Sequence, residues 1–147
     1  MRPHERIVCA VDFSAISDAA SKRAAALARQ TGAELNFLHI VQYFPEDRSN
    51  DVIEPESVDP AEFQKSEAHR KMNDLANRLG CTDAKRTVLF TTRSGWHEIV
   101  RFAEQSDADL IVLGSHGHHG IAAILGSSAN GVVNRAPCDV LVVRSRP

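Results

Sequence analysis

The chain lacks the long apolar segments that cross or enter membranes. No apolar run approaches the roughly 20 residues that a bilayer-spanning helix needs. The N-terminal stretch Met1–Glu5 leads directly into a short predicted strand and carries no apolar core of a secretory signal. We therefore expect no membrane insertion and a cytoplasmic protein.

Cysteine pairs and an excess of charge are also missing. The three cysteines, Cys9, Cys81 and Cys138, form no Cys-x-x-Cys pair, which fits a reducing compartment. Lysine and arginine total 17 against 19 acidic residues, a net charge of −2, which argues against a general electrostatic grip on nucleic acid. With 147 residues, 43% of them hydrophobic and 24% charged, the chain fits one globular domain spanning 1–147.

Two common phosphate-binding motifs are absent as well. No lysine follows Gly126, which excludes a P-loop, and no Gly-x-Gly-x-x-Gly follows the first predicted strand. A nicotinamide or flavin dehydrogenase is therefore not expected. Ser115 and His116 are adjacent in sequence, which does not show that they are arranged as a nucleophile and its base. We therefore expect no catalytic residues.

Five apolar strands alternate with four amphipathic helices along the chain. The strands are predicted at 6–11, 34–41, 86–90, 110–113 and 140–143, and the helices at 14–31, 60–79, 96–105 and 127–135. A capping box at Asp59–Glu62 starts the second helix, while Gly32 and Gly80 end the first two. Unbroken apolar strands indicate burial on both faces. The pattern predicts a doubly wound five-stranded parallel sheet in the order 3-2-1-4-5.

In that order strands 1 and 4 are neighbours where the winding reverses, and ligands bind outside the carboxyl ends of such strands. Asp12 ends strand 1 and Gly114 ends strand 4. A glycine-rich loop then leads to Gly126-Ser127-Ser128, where a helix begins with free N–H groups and a partial positive charge. The segment predicts an anion site, most often for phosphate. The alternative is a tight turn before a capped helix, without a ligand.

Four segments of the chain together resemble the universal stress protein family, in its universal stress protein A branch. They are Ala-Val-Asp-Phe-Ser at 10–14, Asp-Leu-Ile-Val-Leu-Gly-Ser-His-Gly at 109–117, Gly-Ser-Ser-Ala-Asn at 126–130 and Ala-Pro-Cys-Asp-Val-Leu-Val-Val at 136–143. The resemblance implies a Rossmann-like fold and a regulatory role in stress response. Nucleotide-binding members carry Gly-x2-Gly-x9-Gly-Ser/Thr, which holds the phosphates of ATP.

Carried over by position, the resemblance implies a cofactor site for ATP, or for ADP or AMP, with or without Mg²⁺. Asp12 would meet the ribose and Val41 the adenine. The phosphates would meet Gly114, Gly117, Gly126, Ser127 and Ser128, and we count Leu113 and His116 among the binding residues as well. Eight residues, 118–125, separate the second glycine from the third, where the family pattern has nine.

Two further segments leave alternatives open. His116, His118 and His119 could suggest a metal site, since imidazole suits zinc or nickel, but no cysteine or acidic ligand lies nearby in sequence. A contact between a loop histidine and phosphate is favoured instead. The acidic segment from Gln42 to Val58 is either a surface loop or a flap near the ligand.

Three functional hypotheses follow. The first is a nucleotide-binding regulatory protein whose ligand changes its assembly or its contacts with an unknown protein partner. The second is a nucleotide-free stress-response dimer acting through protein contacts, and the third is a slow ATPase. Mass spectrometry of the native protein for copurified nucleotide separates the first two, and turnover with magnesium tests the third.

The fifth predicted strand, Val140-Leu141-Val142-Val143, lies at a sheet edge in the expected order. An exposed apolar edge invites uncontrolled pairing unless it is covered. Pairing with the same strand of a second subunit about a two-fold axis closes it, and the family resemblance implies the same homodimer. The alternative is a monomer whose edge is shielded by its own C-terminal tail.

Overall fold

The computed structural model describes residues 4–42, 59–116 and 125–144. Within these ranges the elements are β1 (Arg6–Ala10), α1 (Ala15–Thr31), β2 (Glu34–Gln42), α2 (Pro60–Leu79), β3 (Lys85–Thr91), α3 (Gly95–Gln105), β4 (Leu110–Gly114), α4 (Ser127–Arg135) and β5 (Asp139–Val143). The strands are parallel and form one sheet in the order β3-β2-β1-β4-β5. The predicted doubly wound, Rossmann-like sheet and its strand order are confirmed. Among the helices of the described ranges, none combines the length and apolar character needed to cross a bilayer.

The helix ends follow local sequence signals. Gly32 and Gly80 close α1 and α2 with φ angles of 73° and 69°, a left-handed conformation that costs glycine little. Asp59 caps α2, as expected, but its carboxylate accepts from the Ala61 N–H at 3.0 Å and not from the N–H of Glu62 that a capping box uses.

Both faces of the sheet are buried, because successive strand residues point to opposite sides. Ile7, Cys9 and Phe37 pack in the core under α1 and α2, whereas Val8 and Leu38 pack in the core under α3 and α4. Cys9 is fully buried, and burial raises the pKa of its thiol to about 12. A thiol so protected from ionisation is unreactive.

Asp109 ties the beginning of β4 to that of β1. Its carboxylate accepts the N–H groups of Glu5 at 2.8 Å and Arg6 at 3.0 Å, and its own N–H donates to the Arg6 carbonyl at 3.0 Å. Ile7 is thereby aligned with Leu110. These hydrogen bonds of Asp109 set the register of β1 and β4. The winding of the sheet reverses at the other, carboxyl ends of the same two strands.

Helices α3 and α4 approach closely because α4 has a glycine at their contact. A Cβ atom placed on Gly131 would lie 2.3 Å from Cγ of Trp96, well inside van der Waals contact. The guanidinium of Arg135 stacks on the Trp96 ring, 4.6 Å from its centroid. Trp96 therefore has a packing role between α3 and α4.

We expect Gly131→Ala to destabilise the protein, although this change stabilises most helix interiors by about 1 kcal/mol. The added methyl must displace a packed indole, and such overpacking costs about 1–3 kcal/mol. Urea denaturation followed by circular dichroism measures the change. The same substitution in a Trp96→Ala background is the control and should recover the ordinary helix gain. A raised urea midpoint for the single variant would contradict this account.

Candidate functional site

A cavity of about 830 Å³ opens at the carboxyl ends of β1, β2 and β4. It lies where the winding reverses, between strand ends that lead into α1 and into the loop before α4. Its volume falls within the range of roughly 300–1,000 Å³ that is typical of small-molecule sites. The topology therefore supplies a crevice where the sequence predicted a ligand.

Most of the predicted site residues come together in this cavity. Its lining includes Asp12, Leu113, Gly114, His116, Gly126, Ser127 and Ser128. Gly117 lies outside the described residues, as do His118, His119 and residues 43–58 of the acidic segment.

Val41 is absent from the lining of this cavity, and its contact with adenine stays a prediction. The lining contributed by β2 consists of Leu38, Ile40 and Gln42, and side chains alternate along a strand. The Val41 side chain thus shares a face with His39 and projects away from the cavity. A contact between Val41 and a ligand in this cavity would have to use its main chain.

The beginning of α3 also lines the cavity, which the sequence reasoning missed. Ser94, Gly95, Trp96 and Ile99 contribute to it. The cause is topological, because α3 leaves the edge strand β3 and crosses back toward β4, bringing its first turn over the ends of the inner strands. The Ser94-Gly95 pair directly before the predicted helix 96–105 was the available signal.

Two helix N-termini therefore face the same space, and within the described residues neither is capped by the side chain of its own N-cap residue. Neither Ser94 of α3 nor Gly126 of α4 makes a side-chain capping hydrogen bond. The two starts are close, since a Cβ atom on Gly95 would lie 3.5 Å from Oγ of Ser128. First-turn N–H groups lack intrahelical acceptors and carry partial positive charge, so this end of the cavity suits an anion.

The Asp12 carboxylate is held by the turn between β1 and α1. The N–H of Ser14 donates to its Oδ1 at 3.0 Å, and the Ser14 hydroxyl donates to the same oxygen at 2.5 Å. The Asp12 N–H in turn donates to Oγ of Ser17 at 3.0 Å. A carboxylate fixed at the mouth of the crevice is an acceptor for ligand hydroxyl groups.

The two glycines of the described loop have packing reasons of their own. A Cβ atom on Gly114 would lie 3.1 Å from side-chain carbons of Ile16, and one on Gly126 would lie 3.0 Å from Cα of His116. The Gly126 N–H donates to the Ser115 carbonyl at 2.6 Å. Gly114 therefore lets α1 seat on β4, while Gly126 lets the chain return to the place where the loop began.

His39 supports the Asp12 turn from the opposite face of the sheet. Its Nδ1 lies 2.7 Å from the Val11 carbonyl oxygen, which only accepts, so Nδ1 carries the proton. Its ring lies 4.7 Å from that of Phe13, whose φ of 65° is left-handed. Burial lowers the pKa of His39, and the Val11 hydrogen bond and the Asp12 charge oppose that shift. The uncharged imidazole is the form that this site favours.

A model of the universal stress protein family matches residues 3–144. The chain belongs to this family. It is 31% identical over 140 residues to universal stress protein A homolog 1 of Coxiella burnetii, covering 95% of this chain and 96% of that protein.

Two solved universal stress proteins share the fold. UspA from Lactobacillus plantarum is 25% identical, with a TM-score of 0.72 over 98% of this chain and 99% of that one. A universal stress protein crystallised in complex with cAMP is 27% identical, with a TM-score of 0.68 over 97% of this chain and 98% of that one.

Metal ligands do not cluster in the described part of this universal stress protein. Over residues 4–42, 59–116 and 125–144, no three His, Cys, Asp or Glu side chains are grouped so that they could hold a metal ion. His116 instead contacts its neighbour, with Nδ1 3.1 Å from the Ser115 hydroxyl.

We expect His39 to make the protein less stable in mild acid. Unfolding restores the ordinary pKa of about 6.5, so the unfolded chain binds more protons between that value and the lowered pKa of the folded state. The free energy of unfolding therefore falls as pH drops below about 6.5. His39→Gln keeps an N–H donor without titrating and should lose less stability between about pH 7.5 and pH 5.5 than the wild type, by urea denaturation.

His69→Gln, on α2, is the matched control and should follow the wild type. Equal pH dependence of the wild type and His39→Gln would show that His39 contributes nothing to acid destabilisation.

Proposed function

We propose that this universal stress protein is a regulatory protein that binds an adenine nucleotide, ATP or else ADP or AMP, in the cavity between β1 and β4. The observation that carries the proposal is the pair of uncapped helix starts facing a crevice that also contains a fixed carboxylate. The relative crystallised with cAMP supports an adenine ligand.

The ligand's parts are assigned by the order of the strands. Phosphate lies at the α4 start, on Gly126, Ser127 and Ser128, and the ribose hydroxyls meet Asp12 at the end of β1. The base continues to the end of β2. Neighbouring strands are about 4.8 Å apart, so β4, β1 and β2 offer three successive positions for phosphate, sugar and base. A triphosphate brings its own Mg²⁺, which is bound largely by phosphate oxygens.

A regulatory output is supported by the connection between the phosphate end and the edge strand. The Ser115 N–H donates to the Val143 carbonyl at 2.8 Å, and the Ser115 carbonyl accepts from Gly126. Ser115, before the loop, is thus hydrogen-bonded both to β5 and to Gly126, after the loop. We propose that nucleotide occupancy alters how this edge contacts a second copy of the chain or a partner protein.

Ser128→Asp tests the phosphate position without weakening the fold. A carboxylate in the first turn favours the helix, so the melting temperature should be kept or raised, whereas the same charge repels phosphate. We expect ATP affinity to fall at least about 100-fold, as two like charges held close in a partly buried site predict. Calorimetry measures affinity, and fluorescence of Trp96, the single tryptophan in the chain, reports on the cavity independently.

Ser128→Asn is the matched control, since it has similar size and no charge, and should bind ATP within a few-fold of the wild type. A wild type that binds no ATP, ADP or AMP at millimolar concentration would overturn the proposal. If Ser128→Asp bound ATP as tightly as the wild type, the assignment of the phosphate position to the α4 start would be wrong.

The proposed homodimer uses the outer edge of β5. The Val143 carbonyl points toward β4, since it accepts from Ser115. The N–H and C=O groups of successive strand residues alternate in direction, so those of Val142 point outward. An edge that offers unpaired groups on apolar residues is suited to antiparallel pairing with itself about a two-fold axis.

Val142→Pro should therefore break the dimer and leave the β4–β5 ladder intact, because proline removes an outward N–H only. Light scattering at micromolar concentration should give about twice 16.1 kDa for the wild type and 16.1 kDa for the variant. Val142→Thr keeps the N–H and the β-branched shape, and should remain dimeric. A wild-type mass of 16.1 kDa would rule out the dimer.

A further inference from the structure

Gln42 is the last residue of β2, and its side chain lines the cavity at the end where the proposed base lies. Its Nε2 donates to the Arg93 carbonyl at 3.2 Å. Because a carbonyl oxygen only accepts, this contact identifies which end of the amide faces Arg93. The amide nitrogen faces the loop between β3 and α3, and Oε1 is the other end of the same group.

The Arg93 peptide is itself fixed. Its N–H donates to the Thr91 hydroxyl at 2.9 Å, and that hydroxyl donates to Oε1 of Glu98, in α3, at 3.1 Å. Thr91 is 7% exposed and is the register partner of Gln42 in the β2–β3 ladder. The first turn of α3 therefore holds the carbonyl that orients the glutamine amide.

The surroundings of the base position are largely apolar. Leu38 and Ile40 of β2, Ile99 of α3 and Leu113 of β4 all line the cavity. Apolar walls bind the face of any purine and do not discriminate between purines. Discrimination depends on a polar group that can contact the edge of the base.

We infer that Gln42 selects nucleotides with an exocyclic amine at the purine 6-position over those with a 6-oxo group. This inference rests on the proposed function. Oε1 accepts from the 6-amine of adenine, and the second Nε2 hydrogen can donate to adenine N1. Hypoxanthine presents the reverse pattern, an acceptor at position 6 and a donor at N1. Matching it requires turning the amide around, which would set Oε1 against the Arg93 carbonyl.

ATP and ITP are the probes, because they share sugar and phosphates and differ only at this edge of the base. We expect the wild type to bind ATP about fivefold to tenfold more tightly than ITP. This ratio of affinities corresponds to the free energy of one neutral hydrogen bond in a partly exposed site. Gln42→Leu should bring the two affinities within about twofold of each other, by weakening ATP binding and leaving ITP binding nearly unchanged.

Gln42→Lys carries only donors, and should shift the preference toward ITP. Gln105→Leu makes the same chemical change at the far end of α3 and should keep the wild-type ratio. Both ratios come from calorimetry on the full chain, with melting temperatures to confirm folding.

The outcomes separate this inference from the proposed function. Equal affinities of the wild type for ATP and ITP, or a ratio unchanged in Gln42→Leu, would overturn the role of Gln42 while nucleotide binding stands. Failure to bind either nucleotide would overturn both.

Discussion

The parallel pairing of β1 with β4 is the constraint on which the rest of the structure depends. Right-handed crossovers send the chain outward from β1 to β2 and β3, and then back across the sheet to β4. Asp109 fixes that return by accepting two N–H groups at the beginning of β1. Once the two strands are in register, the chain leaves their carboxyl ends toward opposite faces of the sheet. β1 leads into α1 on one face, and β4 leads toward α4 on the other. The cavity is the gap that this reversal leaves.

The helices that begin around that gap differ in whether a side chain accepts hydrogen bonds from their first-turn N–H groups. The start of α1 is satisfied internally, because the Ser14 hydroxyl accepts from Ser17. The starts of α3 and α4 have no side-chain cap, although a cap contributes about 1 kcal/mol. A ligand anion can supply what these caps would, which couples ligand binding to the stability of the two helices. The same two helices are held together by Trp96 over Gly131.

Gly114 and Gly126 have packing roles that their spacing in the sequence did not predict. Gly114 was expected to make room for a ligand, yet its absent side chain also makes room for Ile16. Gly126 allows close approach of the chain to His116, a backbone contact that the spacing of glycines does not reveal. A glycine in the sequence indicates that another group approaches the backbone closely. Only the folded structure shows whether that group is a side chain, the backbone or a ligand.

The sequence by itself determined the elements, because each is encoded locally. Apolar runs specify the strands, and Gly32, Gly80 and Asp59 mark the helix ends, so predicted and observed bounds differ by at most one residue. The strand order was predicted from right-handed crossovers together with the usual winding of a Rossmann-like sheet. Only the tertiary structure decided that the first turn of α3 joins the cavity, that Gln42 rather than the Val41 side chain faces it, and that Arg93 orients the Gln42 amide. These facts depend on strand phase and on contacts between residues about 50 positions apart in sequence, and no local pattern encodes such contacts.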